Sequence, residues 1–154
     1  MHCSATGGQL EGLSWHRTRR AVRTPTSTTG RTTMALPTGA AGIASDQADS
    51  AEAAMRRLEH GAYDLAFLDV VMPGTDGYEL CRKIKHNNYL RAMPVLMLTS
   101  RSSPFDRARG ALSGCDSYLV KPITWDIFSQ AVDKALLKHF RNDRAQMIAR
   151  GYRL

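Results

Sequence analysis

Acidic residues are scarce in this sequence. Its 154 residues include 14 Asp and Glu against 21 Lys and Arg, a net charge of +7. Only Glu11 and Asp46 are acidic before Asp49, and no two acidic residues adjoin anywhere before Asp69. Much of the excess positive charge lies near the two ends of the chain, which favours solvated basic tails around one domain.

Cysteine and long apolar runs are also in short supply. The three cysteines, Cys3, Cys81 and Cys115, are odd in number and lack metal-ligand spacing, which indicates reduced thiols in a cytoplasmic protein. No apolar run approaches the roughly 20 residues that a membrane-spanning helix needs. The N-terminus has no apolar central region, so we expect neither a secretory signal nor a membrane partner.

The chain divides into three parts by composition. Residues 1–41 contain a Thr-rich stretch and no lasting helical or strand period, which predicts a disordered or non-homologous segment. Residues 42–140 alternate apolar runs with helical patterns that begin near Ser50, Tyr78, Ser103 and Thr124, and Ile43–Ser45 is a candidate strand. This alternation predicts an α/β parallel sheet. Residues 141–154 form a basic tail that is too short for a DNA-binding output domain.

Three short apolar runs predict buried strands, and each is followed by a polar side chain. The runs and their final residues are Leu65–Leu68 with Asp69, Val95–Leu98 with Thr99, and Tyr118–Val120 with Lys121. Parallel strands bring their carboxyl ends to one edge of a sheet, where open α/β folds bind ligands. Asp69 alone is equally well explained as a helix cap. A carboxylate, a hydroxyl and an ammonium together favour phosphoryl transfer, as nucleophile, hydrogen-bond donor and counter-charge.

At this point the sequence resembles the receiver domain of two-component response regulators, particularly the stand-alone, chemotaxis-regulator-like members. The motifs that carry the resemblance are Phe67–Gly74, Leu98–Ser100 and Val120–Pro122. Their spacings, 30 residues from Asp69 to Thr99 and 22 from Thr99 to Lys121, are those of the family. The resemblance covers roughly Asp49 to Phe140. It implies a flavodoxin-like, doubly wound fold with five parallel strands in the order 2-1-3-4-5.

The resemblance also implies roles for individual residues. Asp69 would be the phospho-acceptor, Thr99 would hydrogen-bond one phosphoryl oxygen, and Lys121 would pair with another. Mg²⁺ is the implied cofactor, held by Asp69 and the main-chain carbonyl of Val71. Tyr118 matches an aromatic residue that turns inward on activation, although a tyrosine at an exposed strand end is also common. The peptide bond after Lys121 is a candidate cis bond.

The N-terminal half departs from the family pattern. Receivers carry an acidic pair at the end of the first strand, about 44 residues before the acceptor, and here that position falls on Thr24-Pro25. The first strand is also unrecognisable, so we expect an incomplete sheet with the Asp69 strand at an exposed edge. Mg²⁺ binding should be weak, because this hard cation prefers several carboxylates. A shifted reading frame, an early start site and a genuinely atypical receiver all stay open.

The implied function is phosphorelay signalling. Asp69 would accept a phosphoryl group from a histidine kinase or a phosphotransfer protein, and a downstream protein would bind the face of the family's fourth helix, fifth strand and fifth helix. The chain would not be an enzyme beyond self-phosphorylation and autodephosphorylation. The alternative is a phosphorylation-independent, degenerate receiver that acts as a docking module. Nucleic acid is not the expected partner, although steeply salt-dependent binding would favour it.

Overall fold

A computed structural model describes residues 19–24, 43–72 and 74–149, except the side chains of residues 19, 20, 140 and 142–149. Nine elements are defined within these ranges. The strands are β1 Arg19–Arg23, β2 Ile43–Gln47, β3 Leu65–Asp69, β4 Val95–Thr99 and β5 Ser117–Val120. The helices are α1 Ala51–His60, α2 Gly77–His86, α3 Pro104–Ser113 and α4 Trp125–Ala149.

The five strands form one parallel sheet in the order β2-β1-β3-β4-β5. This confirms the predicted flavodoxin-like fold, and the candidate strand at Ile43 is β2. Every residue of β3 and β4 is buried. Strands covered on both faces by helices need no polar alternation, which explains why these two were recognisable as short apolar runs.

The expectation that residues 1–41 lack packed structure is wrong for residues 19–24. They contribute β1, which pairs with β2 on one side and β3 on the other, so the Asp69 strand is central and not an exposed edge. Ala21 and Val22 are fully buried on opposite faces of the sheet. Two apolar residues between arginines are too few to show the alternation typical of a strand. Pairing with a strand on each side stabilises β1 despite this weak local preference for strand structure. The rest of residues 1–41 lies outside the described residues.

The helices cover both faces of the sheet and enclose two apolar layers. One layer joins Val22 and Leu68 to α1 and α2, through residues such as Leu58 and Ile84. The other joins Ala21 and strand residues such as Phe67 and Leu98 to α4, through Phe128 and Val132. Fully burying one Leu or Phe side chain stabilises a fold by roughly 2 kcal/mol. These layers therefore hold the strand ends, and the side chains that follow them, in fixed positions.

Helix starts follow the capping residues closely. Ser50 rather than Asp49 caps α1, since its side chain accepts a hydrogen bond from Ala53 N at 3.1 Å. Ser103 caps α3, with Pro104 as the first helical residue. The last helix runs to Ala149, so the basic tail predicted from residue 141 is helical over most of its length.

Candidate functional site

Asp69 is the last residue of β3 and is only 3% exposed. Its Oδ2 accepts a hydrogen bond from Lys121 Nζ at 2.7 Å, and its Oδ1 accepts one from Val71 N at 3.0 Å. Both carboxylate oxygens are thus held by donors while the group lies at the carboxyl edge of the sheet. Pairing and hydrogen bonds of this kind offset the desolvation cost of burying a carboxylate. Lys121 thus lies beside Asp69, and its expected contact with a phosphoryl oxygen stays a prediction.

Thr99 occupies the matching position at the end of β4 and is fully buried. Its carbonyl accepts the main-chain N–H of Lys121 at 2.8 Å, and its Oγ1 accepts the N–H of Arg101 at 3.1 Å. The end of β4 therefore positions the lysine backbone on one side and the following loop on the other. Carboxylate, hydroxyl and ammonium come from three adjacent strand ends, as predicted. The bond between Lys121 and Pro122 is cis, also as predicted.

The loop after Asp69 returns tightly to the start of α2. Gly77 N donates to Val70 O at 3.1 Å, and a Cβ at Gly77 would come within 2.9 Å of the Asp69 carbonyl carbon. Only glycine allows the helix to begin so close to Asp69. Asp76 caps α2 through Glu79 N at 2.8 Å and pairs with Arg109 at 3.2 Å. The Asp76 carboxylate thus caps α2 and joins it to α3.

Thr24 is a residue of the site that sequence reasoning did not assign. It follows β1, is 3% exposed, and its Oγ1 accepts the main-chain N–H of Asp69 at 2.8 Å. Its own N–H donates to Phe67 O at 3.0 Å. Counting back from Asp69 did reach Thr24, but only as the place of a missing acidic residue. The hydroxyl nevertheless braces the backbone of Asp69 from the neighbouring strand.

Tyr118 lies near the end of β5, half-buried against α3. Its hydroxyl lies 3.1 Å from that of Tyr78 and donates to Arg101 O at 3.1 Å. Tyr78 is fully buried, and burial, with the hydrogen bond to Tyr118, raises the pKa of its phenol well above the ordinary value. The sequence pattern predicts a helix beginning near Tyr78 but no contact between its side chain and Tyr118. The three-residue spacing of Tyr78 from Cys81 fits the apolar stripe of α2.

The donor set does not suit Mg²⁺. Receiver domains usually bind this ion at the phosphorylation site, and it prefers near-octahedral oxygen ligands. Within the part of the chain that the structure describes, no three Asp, Glu, His or Cys side chains come together as a metal-ligand set. Asp69 offers one carboxylate already tied to Lys121, and Thr24 offers a hydroxyl where the family has an acid. The Asp46 carboxylate on β2 accepts the Tyr63 hydroxyl at 2.8 Å.

Comparison with known proteins agrees with this fold. The response regulator receiver domain family matches residues 31–133. The chain therefore belongs to the receiver domain family of two-component response regulators. The match begins upstream of Asp49, where the resemblance of the sequence began, and so includes part of the N-terminal half.

Individual relatives show the same relationship. The chain is 34% identical over 116 residues to a gliding motility regulatory protein of Myxococcus xanthus, covering 75% of this chain and 15% of that protein. It is similar to a putative response regulator of Chloroflexus aurantiacus, with a TM-score of 0.72, 26% identity, and coverage of 79% and 99%. A Vibrio cholerae chemotaxis protein, CheY4, shares the fold at a TM-score of 0.68 and 22% identity, with coverage of 78% and 100%.

The chain spans less than half the length of the curated relatives it matches. The activities and partners of those whole proteins therefore do not transfer directly. Among the described residues, no helix combines the length and apolar character that crossing a membrane requires.

Proposed function

We propose that this chain accepts a phosphoryl group on Asp69 and signals through protein–protein contacts in a cytoplasmic phosphorelay. The observation that carries the proposal is the buried Asp69 carboxylate, paired with Lys121 Nζ at 2.7 Å beside the end of β4. A structural ion pair would not require a hydroxyl such as that of Thr99 on the adjacent strand end. The group would come from a phosphohistidine of a histidine kinase or a phosphotransfer protein.

The chemistry divides among three side chains. An oxygen of Asp69 attacks phosphorus, the bond from phosphorus to the donor's histidine breaks, and an acyl phosphate forms. The Lys121 ammonium, already within hydrogen-bond distance, balances the charge that the phosphoryl oxygens bring. The Thr99 hydroxyl supplies a hydrogen bond at the neighbouring strand end. Later hydrolysis of the acyl phosphate would return Asp69, so the chain turns over only its own modification.

The downstream partner would bind the surface formed by α3, β5 and α4, the last two helices and last strand. Large apolar side chains stand exposed on its helices: Phe105 is 71% exposed, Leu112 84% and Ile127 49%. Large exposed apolar side chains of this kind are available for contact with a partner protein. Tyr118 on β5 links this face to the loop that follows Thr99.

Among the described residues Mg²⁺ would find one carboxylate, that of Asp69, beside the Val71 carbonyl and the Thr24 hydroxyl, so we propose weak binding of this cofactor. That observation favours a second candidate function, a degenerate receiver that docks its partner without being phosphorylated. The two functions differ in one property, whether Asp69 is modified. A docking module would bind its partner equally well with Asp69 replaced by Asn.

The test is labelling with a small-molecule phosphodonor, followed by intact-protein mass spectrometry. We expect the unsubstituted protein to gain one phosphoryl group and Asp69→Asn to gain none. The matched control is Asp64→Asn, since Asp64 directly precedes β3 at its opposite end. It should be labelled like the unsubstituted protein. Equal labelling of Asp69→Asn would contradict the assignment, and no labelling of any variant would favour the docking module.

A further inference from the structure

Tyr78 holds a position in the molecule that the phosphorylation chemistry does not use. It is the second residue of α2, lies in the core beneath α3, and is 0% exposed. Its ring is covered by the Arg109 guanidinium, whose carbon lies 4.4 Å from the ring centroid. Arg109 in turn pairs with Asp76, the cap of α2. These contacts fix the orientation of the Tyr78 ring, and so they also fix the position of its hydroxyl.

That hydroxyl meets Tyr118. The two phenol oxygens are 3.1 Å apart, and the Tyr118 ring lies directly against the backbone of α3. A Cβ built at Gly110 would come within 2.6 Å of Cδ2 and 3.0 Å of Cε2 of Tyr118. Glycine at this helix position therefore leaves the space that the Tyr118 ring fills. Both the hydroxyl and the ring of Tyr118 are thus located by residues outside β5.

The two phenols have three contacts but only two protons. Tyr78 Oη lies 3.2 Å from Asp106 O, Tyr118 Oη lies 3.1 Å from Arg101 O, and the third contact joins the phenols. Each phenol can donate once. If Tyr118 donates to Tyr78, its bond to Arg101 O is lost and Tyr78 must donate to Asp106 O. The hydroxyl of Tyr78 therefore affects the strength of the hydrogen bond from Tyr118 Oη to Arg101 O.

Arg101 connects this pair to the phosphorylation site. Its N–H donates to Thr99 Oγ1 at 3.1 Å while its carbonyl accepts from Tyr118. A phosphoryl oxygen that accepts the Thr99 O–H would fix the orientation of this hydroxyl, and with it the bond that Thr99 Oγ1 accepts from the Arg101 N–H. Arg101 is thus hydrogen-bonded both to Thr99 at the site and to Tyr118 of the tyrosine pair.

We propose that Tyr78 is the positioning residue for Tyr118: its hydroxyl holds the Tyr118 ring against α3 and so keeps the loop at Arg101 in the conformation that the structure shows. This inference rests on the proposed function for its consequence, that the state of the site reaches the α3 and β5 surface through Arg101. The position of Tyr118 in the resting protein does not depend on that function and can be measured separately.

The test is NMR on the full, untreated chain labelled with ¹³C in the tyrosine rings and ¹⁵N in the backbone. Tyr78→Phe should shift or broaden both the Tyr118 ring resonance and the Arg101 amide. The control Tyr63→Phe also removes a hydrogen-bonded hydroxyl, which contacts Asp46 at 2.8 Å, and should leave both resonances unchanged. Coincident Tyr118 and Arg101 resonances in Tyr78→Phe and the unsubstituted protein would overturn the proposal.

A double-substitution cycle separates positioning from general packing. In a Tyr118→Phe background, adding Tyr78→Phe should no longer move the Arg101 amide, because the connecting hydroxyl is gone. A shift of equal size in that background would mean that Tyr78 acts through the core, and the proposal would fail.

Gly110→Ala provides a variant that keeps both hydroxyls and suits a helix interior. Its methyl group should push the Tyr118 ring aside and shift the same two resonances, even if Tyr78→Phe does not fold. Unchanged Tyr118 and Arg101 resonances in Gly110→Ala would contradict the proposed placement. All these spectra are recorded before phosphodonor treatment. Failure to label Asp69 would overturn the proposed function but would not affect the spectra. The positioning role of Tyr78 is therefore tested by the spectra alone.

Discussion

The two ends of the sheet contain similar ion pairs in different surroundings. At the carboxyl end, Asp69 pairs with Lys121 at 2.7 Å; at the amino end, Asp116 pairs with Lys85 at 2.7 Å. Both carboxylates are largely buried, with side chains 3% and 13% exposed. Residue type, burial and distance therefore do not distinguish a site from a structural brace.

The difference lies in how many elements each carboxylate joins. Asp116 also accepts Val95 N at 2.9 Å and Lys138 Nζ at 3.2 Å, so it ties the start of β4 to α2 and α4. Burial alone would raise the pKa of the Asp116 carboxyl, but the hydrogen bonds from Lys85 and Val95 outweigh it and lower the pKa. Asp69 joins fewer elements and lies beside a buried hydroxyl. We infer that Asp116 stabilises the fold and that Asp69 is available for chemistry.

The largest expected effect is on stability at the amino end. Asp116→Ala should lower the free energy of unfolding by about 3 kcal/mol, because it leaves the mostly buried Lys85 ammonium without its partner. Asp69→Ala should cost less, about 2 kcal/mol, because the Asp69 carboxylate accepts from two donors whereas that of Asp116 accepts from three. Urea unfolding of both variants measures the difference. Equal losses would mean that the two pairs play the same structural part.

Replacing the two lysines should have the opposite order of effects, with the larger effect at the carboxyl end and on labelling rate. Lys121→Met should slow phosphodonor labelling by about 100-fold, the usual effect of removing one group that stabilises developing charge. Lys85→Met has the same apolar stem and should change that rate by less than about twofold, since it lies at the other end of the sheet. The measurement is the time course of labelling by mass spectrometry. A comparable rate for Lys121→Met and the unsubstituted protein would exclude a role for Lys121 in the transfer.

A smaller effect is expected from adding a second carboxylate at the carboxyl end. Thr24→Asp should raise Mg²⁺ affinity about tenfold, because Mg²⁺ favours sites with more carboxylate oxygens. Thr24→Asn has nearly the same shape without the charge and serves as the control. Titration calorimetry compares the three proteins. Tight Mg²⁺ binding by the unsubstituted chain would show that the assigned donor set is incomplete.

The sequence predicted the carboxyl end of the sheet well because its signals are local. Apolar runs of β3 and β4 end directly at Asp69 and Thr99, and Lys121 follows β5, so strand order alone brings them together. β1 was missed because Arg19–Arg23 contains only Ala21 and Val22 as apolar residues. Its formation depends on two neighbouring strands, a tertiary effect that no window of sequence contains.

Thr24 and Tyr78 show a second limit. Each acts through one hydroxyl on a residue far along the chain: Thr24 on the backbone of Asp69, and Tyr78 on Tyr118. Residue type does not reveal such a contact, because threonine and tyrosine also occur widely without a buried partner. Weak Mg²⁺ binding, which the lack of paired acids predicts, stays a prediction.

The most direct test of the central claim is to locate the modified residue. Borohydride reduces an acyl phosphate to an alcohol, so phosphodonor treatment followed by borohydride should convert the modified aspartate to homoserine. Peptide mass spectrometry should find this change at Asp69 in the unsubstituted protein. A modification confined to Asp116 or to any other acidic residue would contradict the assignment of Asp69 as the acceptor.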